Sequence, residues 1–259
     1  MILSADYHTH TTFSHGKGTI LDNAFMAKEK GLKELGITDH GFAHPAFGLR
    51  NYKLPKMRKE CDFATAETGV KVLLGIESNI TGTDGTIDLK PKKYDDFDLL
   101  VAGIHKFVMY KMGTWFTLAF PNLFKSWQKS PKISNRLRNE NTKTFINVIK
   151  NNPVDIISHL NFCCFCDAVE VAKVASDYGT YIELNSKKTH LTDEELYAMV
   201  KTGVNFVIDS DAHSKDRVGE ISLVEKLLTR VDVPERQLAN VNGKLPSFRF
   251  KAFKDGVGR

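Results

Sequence analysis

The chain has 259 residues, a net charge of +5 and ordinary globular composition, 42% hydrophobic and 26% charged. That is long enough to bury the core of one large domain and unlike a disordered chain. It contains no run of eighteen apolar residues, which argues against a membrane-spanning helix, and its N-terminus lacks the residue order of a secretory signal. Four cysteines, three of them crowded at 163, 164 and 166, do not resemble a disulfide framework, so a reducing cytoplasm is expected. Positive charge is local: seven basic and no acidic residues stand between Lys106 and Asn139, and subtracting that seven from +5 leaves −2 elsewhere.

Seven short β-like runs recur, most followed by a helical pattern. Met1–Tyr7 leads into D-Y-H-T-H-T-T-F-S-H at 6–15. There His8 and His10, two apart on an extended backbone, share a face and can converge on one point. A helix over Leu21–Lys30, stopped by Gly31, precedes Glu34–Thr38, which ends at Asp39 and His40. Lys53–Glu67 is predicted helical, and Val70–Ile76 ends at Glu77. Residues 79–87 carry Asp84-Gly85, a hairpin signal, and Phe97–Ile104 ends at His105.

Residues 106–135 interrupt this rhythm. A helix over about Arg136–Lys150 then leads to Val154–Ile157, ending at Ser158 and His159. Ala168–Tyr178 is helical and closed by Gly179, and Thr180–Leu184 follows with Glu183 and Asn185. Thr192 and Glu195 form a capping box, and Val204–Ile208 runs into Asp209, Asp211 and His213. A last helix, about Ser222–Thr229, precedes a basic tail.

Strands alternating with helices imply parallel strands joined by right-handed crossovers. Six of the seven runs end in His, Asp or Glu. In an open sheet those ends would form a line, whereas in a barrel they form a ring, where barrel enzymes keep their chemistry. A seven-stranded (β/α) barrel is therefore expected. The candidates at its strand ends are His8, His10, His15, His40, Glu77, His105, His159, Asp211 and His213. Nine exceed the needs of one zinc but suit two or three ions if a carboxylate bridges.

In order, D-x-H-x-H, His15, T-D-H, G-I-E, His105, S-H and S-D-A-H resemble the motifs of the PHP (polymerase and histidinol phosphatase) metal phosphoesterases along nearly the whole chain. The stretch G-I-E-S-N-I-T-G-T-D-G-T-I-D at 75–88 is similar to the YcdX-like single-domain branch. The resemblance implies an α/β fold, a distorted TIM-like (β/α)7 barrel over 1–259 with a basic, aromatic insertion at about 106–135. It implies three transition-metal ions, zinc first, with manganese and iron as alternatives. By position, one ion takes His8, His10, Glu77 and Asp211, a second Glu77, His105 and His159, and a third His15, His40 and His213, with Glu77 bridging the first two. Where the family often has Pro-Gly after S-H, this chain has Leu160-Asn161 running into Cys163, Cys164 and Cys166. Those thiols are expected as small hydrophobes rather than as ligands.

The chemistry so implied is phosphate ester hydrolysis. Two ions about 3.5–4 Å apart can hold a hydroxide between them for in-line attack on phosphorus. Glu77 and Asp211 are the expected catalytic carboxylates, and Arg217 is a candidate fork for the phosphate, with a surface arginine as the alternative. Asp6, Asp39 and Asp209 stand beside ligands, either to orient imidazoles or to face solvent. His44 and His190 are expected to be peripheral. The leading function is a phosphomonoesterase acting on a small anionic substrate such as histidinol phosphate or a related ester. The alternative is a nuclease or nucleotide phosphoesterase, which the aromatic and basic insertion favours. A non-enzymatic metal-binding protein is disfavoured by the complete ligand set. The insertion itself reads as a helical cover, a substrate lid, or a membrane-surface or oligomer contact.

Overall fold

The structure is a computed structural model that describes residues 1–127 and 133–256. Two of the seven basic residues counted between Lys106 and Asn139, Lys129 and Lys132, lie outside the described residues. Seven parallel strands follow one another around the sheet in chain order: β1 (Ala5–Thr9), β2 (Glu34–Ile37), β3 (Lys71–Asn79), β4 (Leu99–Gly103), β5 (Ile156–Ile157), β6 (Tyr181–Asn185) and β7 (Phe206–Asp209). All of their residues except Lys71 and Tyr181 are buried. That is what near-continuous apolar runs become when helices cover the sheet.

The helices are α1 (Ile20–Glu29), α2 (Leu54–Thr68), α3 (Phe120–Trp127), α4 (Asn135–Asn151), α5 (Ala168–Tyr178), α6 (Asp193–Val200), α7 (Ser222–Leu228) and α8 (Arg249–Lys254). Local signals set their ends. The Thr192–Glu195 capping box opens α6 as expected, and an unpredicted one, Thr19 with Asp22, opens α1. Gly179, at φ 69, closes α5 in the left-handed region.

Alternation along the strands separates two cores. Outward side chains such as Val72, Leu74, Leu100 and Ile157 pack with Ala24, Met57 and Val171 of the helices. Inward ones, Ala5, Tyr7, Leu73, Leu99, Val101, Ile156 and Val207, form a second cluster, with Phe248 packed against it. Phe248 meets the Tyr7 ring edge-on at 4.9 Å.

The ring is nearly closed, and the join between β7 and β1 is made largely by side chains. Asn240, fully buried, accepts from Ile208 N and donates to Ile208 O and Ala5 O at 2.8–2.9 Å. Asp209 accepts from Tyr7 N at 2.7 Å, and Asp6 accepts from Ser210 N, the Ser210 hydroxyl and Gly219 N. Above them a short parallel bridge joins Thr9 to Ala212.

Three boundaries differ from expectation. The first strand begins at Ala5, because Leu3 instead bridges antiparallel to Val241. The fifth shrinks to two residues between Asp155 and Ser158. The basic tail contains α8, whose Phe250 enters the core. Among the described residues no helix is long and apolar enough to cross a membrane.

Candidate metal centre

All nine candidate ligands meet at the C-terminal rim of the strands, and local backbone devices aim them there. Tyr7 faces the inner core and His8 the site above it, although strict alternation would put neighbours on opposite faces. Between Asp6 and Thr9 the register slips, three residues of β1 advancing against two of β2. Such an irregularity re-aims the side chains that follow it, here His8 and His10. His159 and Asp211 take positive φ values of 30 and 49, uncommon for non-glycine residues and typical of strain held at functional sites. Gly103 makes room for His159, since a Cβ there would lie 2.8 Å from its imidazole and 2.3 Å from Ser158 Oγ.

Glu77 is the hub, with an imidazole on every side. Its Oε1 lies 3.3 Å from His8 Nε2, 3.0 Å from His105 Nε2 and 2.8 Å from His159 Nε2. Its Oε2 lies 2.8 Å from His40 Nδ1 and 3.7 Å from His10 Nε2. His8 and His10 approach each other to 3.1 Å at Nε2, and Asp211 Oδ1 stands 3.9 and 3.5 Å from them. The remaining rings stack beside this group, His15 at 4.7 Å from His40 and 4.3 Å from His213.

Among the described residues, three triads have side-chain N and O atoms close enough to share an ion: His8, His10 and Asp211; His40, Glu77 and His105; and His10, His40 and His213. They overlap at His10 and His40, so these seven residues form one continuous cluster, which His159 joins through Glu77 and His15 through its ring contacts with His40 and His213.

The unpartnered atoms test whether the cluster fits metal ions. His40 Nδ1 and Glu77 Oε2 face each other at 2.8 Å, yet both are buried with no hydrogen-bond partner, as is His10 Nδ1. Buried polar atoms are rarely left this way, and each such loss costs about 1–3 kcal/mol. Imidazole and carboxylate donors aimed at common points suit divalent transition metals. The residues present therefore fit.

Charge is arranged to match. Burial alone would raise the Glu77 carboxyl, but His105, His8 and His40 hold it well below the usual range. Asp211, also opposed by burial, is likewise held well below by His8 and His10. Burial and the neighbouring His40 and His213 push His15 down to about 4. Both carboxylates are thus ionised, and His15 is neutral, as a ligand must be.

Behind the candidate ligands stand partners to which the sequence reading assigned no role, although it placed Glu183 at a strand end. Glu183 accepts from His8 Nδ1 and from His159 N, both at 2.6 Å, which leaves His8 Nε2 facing the cluster. Asn79 Oδ1 accepts from His105 Nδ1 at 2.9 Å, and Asn79 in turn donates to Asp88 at 2.6 Å. This accounts for the 75–88 motif. An antiparallel bridge between Ile80 and Ile87 folds the hairpin back, so Asp88 returns to fix the residue that fixes His105.

Several expectations require correction. Asp6 and Asp209 touch no imidazole and hold the β1–β7 join, while Asp39 accepts from Thr11 N and the Thr11 and Ser14 hydroxyls, bracing the loop before His15. Arg217 does not line the site: its guanidinium donates to Glu220 at 3.1 Å and Ser186 O at 3.2 Å. His190 is not peripheral, since it lines the basin beside Phe162, whose ring is 5.1 Å away. His44 stacks 5.9 Å from His40 and accepts from Phe47 N. The cysteines behave as small hydrophobes. Cys164 and Cys166 are fully buried, burial pushes the Cys163 thiol up to about 12, and no cysteine joins a ligand group among the described residues.

The cluster floors a basin of about 330 Å³ whose walls include Phe162, Asn185, Lys187, Lys188 and His190. On the other side of His105 lies a narrow apolar slot lined by Tyr110, Trp115, Leu118 and Phe120. The start of the insertion is therefore a wall beside the basin, and Tyr110 donates from its hydroxyl to His105 O.

Comparison with known proteins agrees with this geometry. The PHP domain profile matches residues 6–187. A probable phosphatase of Caldanaerobacter subterraneus subsp. tengcongensis is 30% identical over 254 residues, covering 93% of this chain and 88% of that protein. The probable phosphatase YcdX of Escherichia coli K12 is 29% identical over 247 residues, 92% of this chain and 89% of YcdX. Among solved structures, a histidinol phosphate phosphatase of Lactococcus lactis, complexed with zinc, L-histidinol and phosphate, superposes with a TM-score of 0.64 at 16% identity. The overlap covers 96% of this chain and 98% of that one.

Proposed function

The chain belongs to the PHP domain family, and from that premise we propose that it is a metal-dependent phosphomonoesterase acting on a small anionic phosphate ester. The observation that carries this reading is the buried Glu77, flanked within 3.7 Å by His8, His10, His40, His105 and His159, with unpartnered atoms facing inward. The names of the relatives support the reaction class.

Three ions would be held by His8, His10, Glu77 and Asp211, by Glu77, His105 and His159, and by His15, His40 and His213. Zinc is the first candidate, and manganese and iron are the alternatives. When bound, such ions lower the pKa of water toward about 7 and neutralise charge on phosphoryl oxygens. The chain does the rest. Glu77, spanning the cluster, fixes the spacing of its surroundings, and Glu183 and Asn79 lock the tautomers of His8 and His105. Asp211 is anchored by Asn185 Nδ2 at 3.2 Å, so its other oxygen stays turned to His8 and His10.

A second reading, a nuclease or nucleotide phosphoesterase, is favoured by one observation. Phe107, Phe116 and Phe120 are exposed on a segment with no acidic residue, as a stacking surface for bases requires. The test joins metal analysis to a substrate panel. Chain purified after replete expression with zinc, manganese or iron should carry two or three ions and hydrolyse small phosphate esters faster than a single-stranded oligonucleotide. One ion or fewer per chain would sink the trinuclear reading, and preference for the oligonucleotide would select the second.

A further inference from the structure

With Arg217 turned away, the cations that face the basin are Lys187 and Lys188, on the turn after β6. That turn is pinned to the cluster itself. Asn185 Oδ1 accepts from Lys187 N at 2.9 Å and Lys188 N at 3.2 Å, while Asn185 Nδ2 donates to Glu183 and Asp211. Arg217 holds the same turn from outside through Ser186 O. Lys187 Nζ stands 3.2 Å from Asp211 Oδ1 and 3.1 Å from His213 Nδ1, already over the ligands. Lys188 is exposed on the rim and makes no ion pair with any described residue.

The opposite charge is missing. Among the described residues, the only carboxylates lining the basin are Glu77 and Asp211, both inside the candidate ligand cluster. On the His105 side, the sequence from Lys106 to Asn139 supplies none. An ammonium group entering with a substrate would lose water and meet two lysines, with no free acid to pair with. A carboxylate or second phosphate would meet two donors on a pre-set turn.

We propose that Lys187 and Lys188 form the anion-recognising wall of the basin, Lys187 on the phosphoryl oxygens and Lys188 on a second negative charge. The substrate is then an ester whose alcohol portion carries an anionic group and no ammonium. This rests on the phosphomonoesterase reading for its chemistry but is tested by binding. Two unreactive phosphonates of similar size serve as probes, 3-phosphonopropionate with a carboxylate and 3-aminopropylphosphonate with an ammonium. Calorimetry on the zinc-loaded full chain should show the carboxylate probe binding roughly tenfold or more tighter.

K187A should weaken both probes about tenfold with zinc content unchanged, K187R should recover most of the loss, and K188A should bring the two probes toward parity. Equal or inverted preference in the wild-type chain overturns the proposal, as does binding of neither probe. It also fails if K187A alters zinc affinity alone, which would make the lysine a competitor for the metal site. Intact selectivity without hydrolysis of p-nitrophenyl phosphate would leave the wall standing and remove the phosphatase reading instead.

Discussion

The two ends of the barrel are both crowded with buried polar side chains, and they are satisfied in opposite ways. Toward the N-terminal end each group finds its partner within the chain. Asp155 accepts from Leu100 N and Phe250 N, Asp98 takes a two-pronged bond from Arg58 and another from Leu74 N, and Asn240 bonds three backbone groups. At the C-terminal rim the geometry is as close, but the atoms that face the centre of the cluster are left without bonds. Of six buried side-chain atoms without partners among the described residues, three are His10 Nδ1, His40 Nδ1 and Glu77 Oε2. One end is finished by folding. The other is left for something that folding does not supply, which is how a barrel separates stability from chemistry.

The contrast can be broken at its hub first. Glu77→Gln should reduce phosphatase activity at least about a hundredfold more than His15→Ala, because even partners outside a ligand set are worth roughly 10–100-fold. Steady-state rates on p-nitrophenyl phosphate, with folding checked by circular dichroism, decide it; equal residual activity would remove Glu77 from a bridging role.

At the other end the loss should appear in stability instead. Asn240→Ala leaves Ile208 N, Ile208 O and Ala5 O without partners and should cost roughly 3 kcal/mol or more. For a chain of this size that lowers Tm by about 6–12 °C, read by calorimetry, with activity per folded molecule retained.

The smallest effect tests how complete that internal satisfaction is. Burial pushes Asp155 up to about 7, even though two backbone amides oppose the shift. With its folded pKa above the unfolded one, the folded state binds the extra proton between them, so this group's contribution to stability falls as pH rises. Relative to wild type, Asp155→Asn should therefore gain about 1.4 kcal/mol per pH unit from pH 5 to 7 and then level off. Urea unfolding across that range checks it, and a flat difference would mean Asp155 stays ionised throughout.

How far the sequence could be read follows the same division. Candidate ligands at strand ends were legible because a parallel barrel converts position at a run's end into position on a ring, as with Glu77, His105 and His159. The capping box at Thr192 was legible because it is local. The roles of Glu183, Asn79 and Lys187 were not, since each acts on a residue from another strand or turn, and no spacing rule connects residue 183, legible only as a strand end, to His8. Neighbourhood in the chain misled for Asp6 and Asp209, which adjoin ligands but face the seam. Arg217 misled differently: Glu220, three residues on, captures the fork that a phosphate would need.

The β1–β7 join has a further consequence for how the protein assembles. Its Asp6–Ser210 contact spans 204 positions, so the ring closes only when nearly the whole barrel sequence has been ordered. Closing such a long loop is entropically demanding, and contacts of this range form late. Little more than side-chain bonds and one short bridge holds the two strands together, which makes this the natural place for the structure to open locally. His8 and His10 sit on one side of that line and Asp211 on the other. An ion shared by them would be a clasp across the weakest joint, and its binding free energy would be felt as mechanical cohesion of the barrel as well as reactivity.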